Sequence, residues 1–574
     1  MKKITYLFII FLFLTLLVSC GSQNDSLSDL PDSSSVIEEP IYDDDDLQDQ
    51  IDYVDTTITF ADEMISSTSS DISIEGNIIF IEHAGTYELI GFSSDAQLII
   101  DASNSDLVTL VLNNINLTCL NGPVINILNA DKVIINVKEN TENQLEDSPT
   151  SSIDHQAVVF SKDDLTFNGT GKLLINANYK NGIETNDDLI IINSTIIINA
   201  SNTAIRANNS LSVTNTNLTL TADNDGIHVE NNEDSSLGNI LIESGLFTIQ
   251  ANGDAISSSL DLHIMDGTFD IISGLSSTTS GKGLKATHNI IISSGNLNIT
   301  SIDDAIHSNS GILIDGGEFN LSTNDDAIHS DDELIINDGI IYIVKCFEGL
   351  ESYVTKIKGG YIDIISSDDG INGSGGVNQS EASAFNPNPI GTASLFIEGG
   401  TIMINTMSDG IDVNGSVEMS GGLVVISGPL DGMQGAIDYD VSFNISGGIL
   451  VAAGAAGREQ KNPSATSTQK SVTIYLDTSS TQMIHIETNS GEMLLSYIPE
   501  KAYQTLVFSS PDLTNTDSYK VYIGGNIIDE TSNTHGYMIN GSYTNGTLFD
   551  SFTVTSILNT VGTPTVTDLR PPRP

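Results

Sequence analysis

Carboxylates recur in this chain at intervals that suit a divalent cation. A small residue followed by Ile or Leu occurs as Gly182-Ile183, Ala204-Ile205, Gly226-Ile227, Ala255-Ile256, Gly283-Leu284, Ala305-Ile306, Ala327-Ile328, Gly349-Leu350, Gly370-Ile371, Gly410-Ile411 and Ala436-Ile437. The position before the small residue reads Asn181, Thr203, Asp225, Asp254, Lys282, Asp304, Asp326, Glu348, Asp369, Asp409 and Gly435. The position two after it reads Glu184, Arg206, His228, Ser257, Lys285, His307, His329, Glu351, Asn372, Asp412 and Asp438. Asp303, Asp325 and Asp368 double the acids on three repeats. In a stacked fold, successive layers lie about 4.8 Å apart. Neighbouring carboxylates would then repel by about 1 kcal/mol in water and about 3.5 kcal/mol at an effective dielectric of ~20. Ca²⁺ binds oxygen at about 2.3–2.6 Å and fits between them. The candidate metal ligands are Asp303, Asp304, Asp325, Asp326, Glu348, Glu351, Asp368, Asp369, Asp409 and Asp412. Turn preference explains one Asp before each strand, but not the doubled acids or the Glu348/Glu351 pair.

Other residues in these columns suggest different chemistry. His307 and His329 share one column, one repeat apart, with His228 earlier. Among hard carboxylates a Zn²⁺ site is the weaker reading, and a stacked surface His ladder is expected. Lys282 and Lys285 precede the densest acidic block. A basic group beside Ca²⁺ is what proton abstraction next to a uronate carboxylate requires, although charge compensation is the expected role.

The elements that position these residues follow from the spacing. The steps 182 to 204, 204 to 226, 283 to 305, 305 to 327 and 327 to 349 are each 22 residues. One repeat holds three short strands, as in Ala327-Ile328-His329, Leu334-Ile335-Ile336 and Ile340-Ile341-Tyr342-Ile343. Asp331-Asp332 and Asn337-Asp338-Gly339 make the bends. Three strands per turn, stacked in parallel, predict an all-β, right-handed parallel β-helix. The recurrent Leu/Asn consensus of leucine-rich repeats is absent, as is the calcium-binding nonapeptide. The Ile or Leu should point inward, each contributing about 1.5–3 kcal/mol when fully buried. The residue after it should point outward, and the Gly/Ala column should leave an open floor between the acidic columns.

The domains predicted are a lipoprotein signal peptide over 1–19, an acidic flexible tether over 20–56 and the β-helix over 57–455. A linker over 456–470, a small separate C-terminal β unit over 471–560 and a disordered tail over 561–574 follow. Lys2 and Lys3 precede an apolar run that ends in Leu17-Val18-Ser19-Cys20. That run resembles a lipobox, which predicts lipidation at Cys20, export and a membrane anchor. Gly373 to Gly391 reads as an inserted loop. Cys119 and Cys346 lie on distant repeats, beyond disulfide reach, and are read as small buried side chains.

The chain has 574 residues, 76 acidic against 20 basic, and no Trp. A formal charge of -56 opposes nucleic-acid or anionic-membrane binding, since both need a basic face. The membrane is therefore reached only through the lipid. The 16 Tyr remain for stacking on sugars.

The ordered motifs Asp225-Gly226-Ile227-His228, Glu348-Gly349-Leu350-Glu351, Asp368-Asp369-Gly370-Ile371-Asn372 and Asp409-Gly410-Ile411-Asp412 are the most specific signal. Gly435-Ala436-Ile437-Asp438-Tyr439 and Ser446-Gly447-Gly448 follow them, with Gly169-Thr170-Gly171 before and Ser509-Ser510-Pro511 after. This set resembles the calcium-binding, carbohydrate-binding β-helix family of bacterial cell-surface proteins, pectate-lyase-like in shape. The resemblance covers about 72–525 and departs at Arg458, where the family usually has Met. It implies Ca²⁺ at Asp304, Asp326, Glu348, Glu351, Asp368, Asp369, Asp409 and Asp412, and an acidic polysaccharide as partner. The leading expectation is a monomeric, non-catalytic, surface-anchored binder. A calcium-dependent lyase using Lys282 or Lys285 and a structural adhesin are the alternatives. A glycosidase comes last, because the Gly-His-Gly and Arg-Ile-Lys motifs of polygalacturonases are missing.

Overall fold

The computed structural model describes residues 42–70, 72–276, 280–374, 392–430, 432–457, 460–515, 517–544 and 546–563. The signal peptide, Cys20, Arg458, most of the inserted loop and most of the C-terminal tail lie outside the described residues.

Alternating Ile, Leu and Val form short strands that stack in parallel for about 14 turns. Each turn contributes one strand to each of three sheets. One turn runs through Ile306–Ser308, Gly311–Ile314 and Glu318–Ser322. The next begins at Ile328, paired with Ile306. A sharp bend precedes the third strand, as at Gly360, whose φ is +83°. A Cβ there would meet the Gly339 carbonyl oxygen at 2.7 Å, so only Gly fits this bend.

The inward ladder is continuous. Ile183, Ile205, Ile227, Ile256, Leu284, Ile306, Ile328, Leu350, Ile371, Ile411 and Ile437 pair in register and are fully buried. It extends upstream through Val159, Ile125, Leu98 and Ile79, where uneven turn lengths hide the period.

Three expectations need correction. The Gly/Ala column is not an open floor. Ala204, Ala255, Ala305, Ala327 and Ala436 are fully buried, and a Cβ on Gly226 would meet Ile249 Cγ2 at 2.5 Å. The column is small because the corner packs against inward Ile side chains.

The acidic tether is not free through residue 56. Lys132 Nζ lies 2.6 Å from Asp43 and 2.9 Å from Asp46. Asp46 is fully buried and also accepts from the Thr166 hydroxyl at 2.6 Å. Opposite charge on the second sheet thus captures a run that would otherwise repel itself.

The C-terminal unit and its linker are not separate from the β-helix. Tyr503–Ser509 pairs antiparallel with the last strand of the third sheet, Ile449–Gly454, and ends the parallel stack. Met403, Val425 and Val451, outward on that sheet, share a core with Tyr497, Phe508 and Tyr519. The expected linker lies over the final turn, with Lys461, Ser464 and Gln469 donating backbone N–H groups to the carbonyls of Ile437, Phe443 and Ile445. The exposed sheet end is thereby covered. A small antiparallel sheet, including Ile484–Thr488, Met493–Tyr497 and Ser518–Ile523, completes the unit.

Candidate metal centre

The columns read from the sequence run along the first sheet in the expected register. Arg206, His228, Ser257, Lys285, His307, His329, Glu351, Asn372, Asp412 and Asp438 stand side by side on successive turns. Their neighbours before the small residue are largely sheltered, with Asp304 3%, Asp326 6%, Asp369 7% and Asp409 4% exposed.

A ladder that the sequence reading missed explains that burial. One oxygen of each acid accepts the backbone N–H of the following turn. Asp254 N–H donates to Asp225, Lys282 N–H to Asp254, Asp326 N–H to Asp304, Glu348 N–H to Asp326 and Asp409 N–H to Asp369, all at 2.9–3.2 Å. Asn181 plays the same part for Thr203. A side-chain oxygen one residue before each corner satisfies a donor that bends out of the sheet. The second oxygen of each carboxylate is left for another partner.

That partner changes along the stack. From Asp225 to Asp326 it is a basic side chain. His228 Nδ1 lies 3.3 Å from Asp225, Lys285 Nζ 2.9 Å from Asp254, and Lys282 Nζ 2.6 Å from Asp304 and 2.7 Å from Asp303. Burial alone would raise the Asp304 pKa, yet His307 and Lys282 hold it down to about 2. Burial works against the Lys282 charge, but Asp304 and Asp303 outweigh it and raise its pKa. Lys282 is therefore bound as a counter-ion and is poorly placed as a base. Lys285 is likewise ion-paired. Asp303, Asp304 and Asp325 do come together as a possible metal group, but Lys282 already occupies that charge.

Further along the stack the pairing changes. Asp369, Asp409 and Asp412 place one carboxylate oxygen each within 4.8 Å of one another. Among the described residues no Lys, Arg or His forms a salt bridge with any of the three. Burial first, and then the neighbouring carboxylates, push Asp409 and Asp412 up to about 7 and raise Asp369. Glu348 rises to about 8 for the same reasons, with Asn372 Nδ2 as its close partner at 2.6 Å. Asp438, one turn on, is neutralised by Lys461 at 2.5 Å.

Of the ten predicted ligands, the structure gathers Asp303, Asp304 and Asp325 in one group and Asp369, Asp409 and Asp412 in another. Asp326 and Glu351 meet around His329. Glu348 and Asp368 fall in none of these groups. A further group that the sequence reading missed, Asp164, Asp187 and Asp188, lies at the start of strands in the second sheet. The three acids share no motif in the chain and become neighbours only through stacking. Cys119 and Cys346 are free and buried.

These geometries can be set beside known proteins. A family profile described as carbohydrate-binding domain-containing protein aligns with part of the β-helix. Residues 75–327 match the carbohydrate-binding domain family. The match ends two turns before Asp369, the first acid of the Asp369–Asp409–Asp412 group. A carbohydrate-binding domain-containing protein of Acetivibrio thermocellus is 30% identical over 154 residues, 26% of this chain and 54% of the relative. The chain spans about half the length of that curated relative. A solved structure, titled as the polysaccharide lyase-like protein from C. thermocellum, gadolinium derivative, is 30% identical. It covers 42% of this chain and 97% of its own, with a TM-score of 0.39.

Proposed function

We propose that this chain binds acidic polysaccharide through Ca²⁺ without cleaving it, while anchored at the cell surface by a lipid on Cys20. The observation that carries the reading is the Asp369–Asp409–Asp412 group. It supplies three hard oxygen donors that, among the described residues, form no salt bridge with a basic side chain, which suits Ca²⁺. Bound Ca²⁺ would relieve the repulsion that raises these pKa values. Its remaining coordination positions are suited to a uronate carboxylate. A bridging cation also lets a chain of formal charge -56 approach a polyanion.

The family match over residues 75–327 supports carbohydrate as the ligand class. The lipobox-like Leu17-Val18-Ser19-Cys20 supports the anchor. The engagement of Lys282 and Lys285 by Asp303, Asp304 and Asp254 favours binding over the lyase reading.

Retention on immobilised polygalacturonate tests the reading. The chain should be retained with Ca²⁺ and released by chelator, and ultraviolet absorbance should show no unsaturated uronate product. Retention that ignores chelator would remove Ca²⁺ from the account. Product absorbance would replace binding by cleavage.

A further inference from the structure

The outward column changes character at His329, between the basic half of the ladder and the acidic half. We propose that His329, Asp326 and Glu351, flanked by His307 and Asp304, form a second cation site, selective for a borderline transition ion of the Zn²⁺ class.

The first argument is distance. His329 Nδ1 lies 3.4 Å from Asp326 Oδ2, 3.5 Å from Glu351 Oε2 and 3.7 Å from Asp304 Oδ2. These separations exceed the usual N–H···O range of about 2.7–3.2 Å. A tetrahedral ion with bonds of about 2.0–2.2 Å holds its ligands about 3.4 Å apart. The donors are thus spaced as ligands around an ion. Asp304, His307 and His329 form an adjoining group with donors within 4.8 Å.

The second argument is independent and concerns His307. Its Nε2 lies 3.0 Å from Asn309 Oδ1, a contact that orients the ring. Nδ1 is buried and has no aligned hydrogen-bond partner, yet it sits 2.8 Å from Asp304 Oδ2. Lys282 Nζ already holds that same oxygen at 2.6 Å, which leaves Nδ1 as the ring nitrogen open to a further partner. Metal-binding imidazoles are held in this way, through a hydrogen bond on the other ring nitrogen.

The third argument is ligand type. Imidazole suits Zn²⁺, Ni²⁺ or Cu²⁺ and contributes little to Ca²⁺ sites, which take oxygen. The all-oxygen group at Asp369, Asp409 and Asp412 has the opposite preference. The ladder would therefore sort two kinds of cation by position.

The test is titration of chelator-stripped full-length chain with Zn²⁺, and with Co²⁺ as a visible probe, in saturating Ca²⁺. One ion should bind per chain, and Co²⁺ should give the d–d absorption of a four-coordinate site. His329→Gln should abolish that band. Asn309→Ala should weaken binding roughly 10–100-fold, as loss of an outer hydrogen bond to a ligating His does. Asp409→Asn with Asp412→Asn should leave Zn²⁺ affinity unchanged. Should His329→Gln not fold, His307→Gln reads the same site. The proposal is overturned if the folded wild-type chain binds neither ion, so that the imidazoles are neutralised by protons. It is also overturned if binding persists undiminished in the His variants.

Discussion

The two halves of the ladder share a backbone and differ in charge. From Asp225 to Asp304 every sheltered carboxylate has a basic partner, supplied by His228, Lys282, Lys285 or His307. From Asp369 to Asp412 the same positions hold carboxylates that, among the described residues, form no salt bridge with a basic side chain, and three of them gather in one group. Both halves use one carboxylate oxygen to satisfy the N–H of the next turn. The fold therefore explains why an acid stands there. It does not explain why the acids of the last turns form no such pair among the described residues. On the function proposed above, a column that is structural in one half serves as a cation site in the other.

The largest expected effect strikes what both halves share. Ile328 is fully buried in the inward ladder. Ile328→Asp would place a carboxylate among apolar side chains, at a cost of several kcal/mol. No protease-resistant chain should be recovered, and a resistant, soluble variant would disprove the register.

Removing a neutralising residue comes next. Lys282→Met leaves Asp304, 3% exposed, without its ammonium partner. The cost should be about 3–5 kcal/mol, read as a lowered denaturation midpoint. Ca²⁺ should recover part of the loss, because the variant gives the first half the character of the second. A midpoint indifferent to Ca²⁺ would show that the halves differ by more than charge.

The pH response should separate the halves by sign. Asp409 and Asp412 fold with pKa values of about 7, above the ordinary carboxylate value of ~3.9. Between those values the folded chain binds more protons than the unfolded one, so metal-free stability should fall as pH rises from about 4 to about 7. Ca²⁺ should flatten that slope. Asp304, held at about 2, acts in reverse. Its contribution is complete above ~3.9 and is lost as pH falls towards 2. Thermal denaturation across pH 2 to 8, with and without chelator, reads both.

The smallest effect is a gain. Asp409→Asn removes one repelling charge and keeps an oxygen for the Gly435 N–H. The metal-free chain should become more stable at pH 8 by about 1 kcal/mol, while its response to Ca²⁺ weakens. A loss of stability without metal would mean that repulsion is already relieved from elsewhere.

Much of this was legible in the sequence, because a β-helix turns period into position. Ile183 to Ile437 could be aligned by counting, and the outward column from Glu184 to Asp438 came with them. What counting cannot supply is the direction of a side chain at a corner. The buried Gly/Ala column was misread for that reason, since corner residues do not follow strand alternation. The carboxylate-to-backbone ladder was missed because Asp before a strand looks like ordinary turn chemistry. The spacing left Lys282 open both as a base and as charge compensation, because its pairing with Asp303 and Asp304 depends on side-chain direction. Contacts with no period were invisible, such as Lys132 on Asp43 and Asp46, or the core shared by Met403 and Tyr497.

Calorimetric titration of Ca²⁺ into chelator-stripped chain tests the central claim most directly, run on the wild type, Asp304→Asn and Asp409→Asn/Asp412→Asn. The wild type and Asp304→Asn should bind Ca²⁺, and the double variant should show no binding at the altered group. Undiminished binding in the double variant, or its loss in Asp304→Asn alone, would place the cation in the lysine-compensated half and contradict the account.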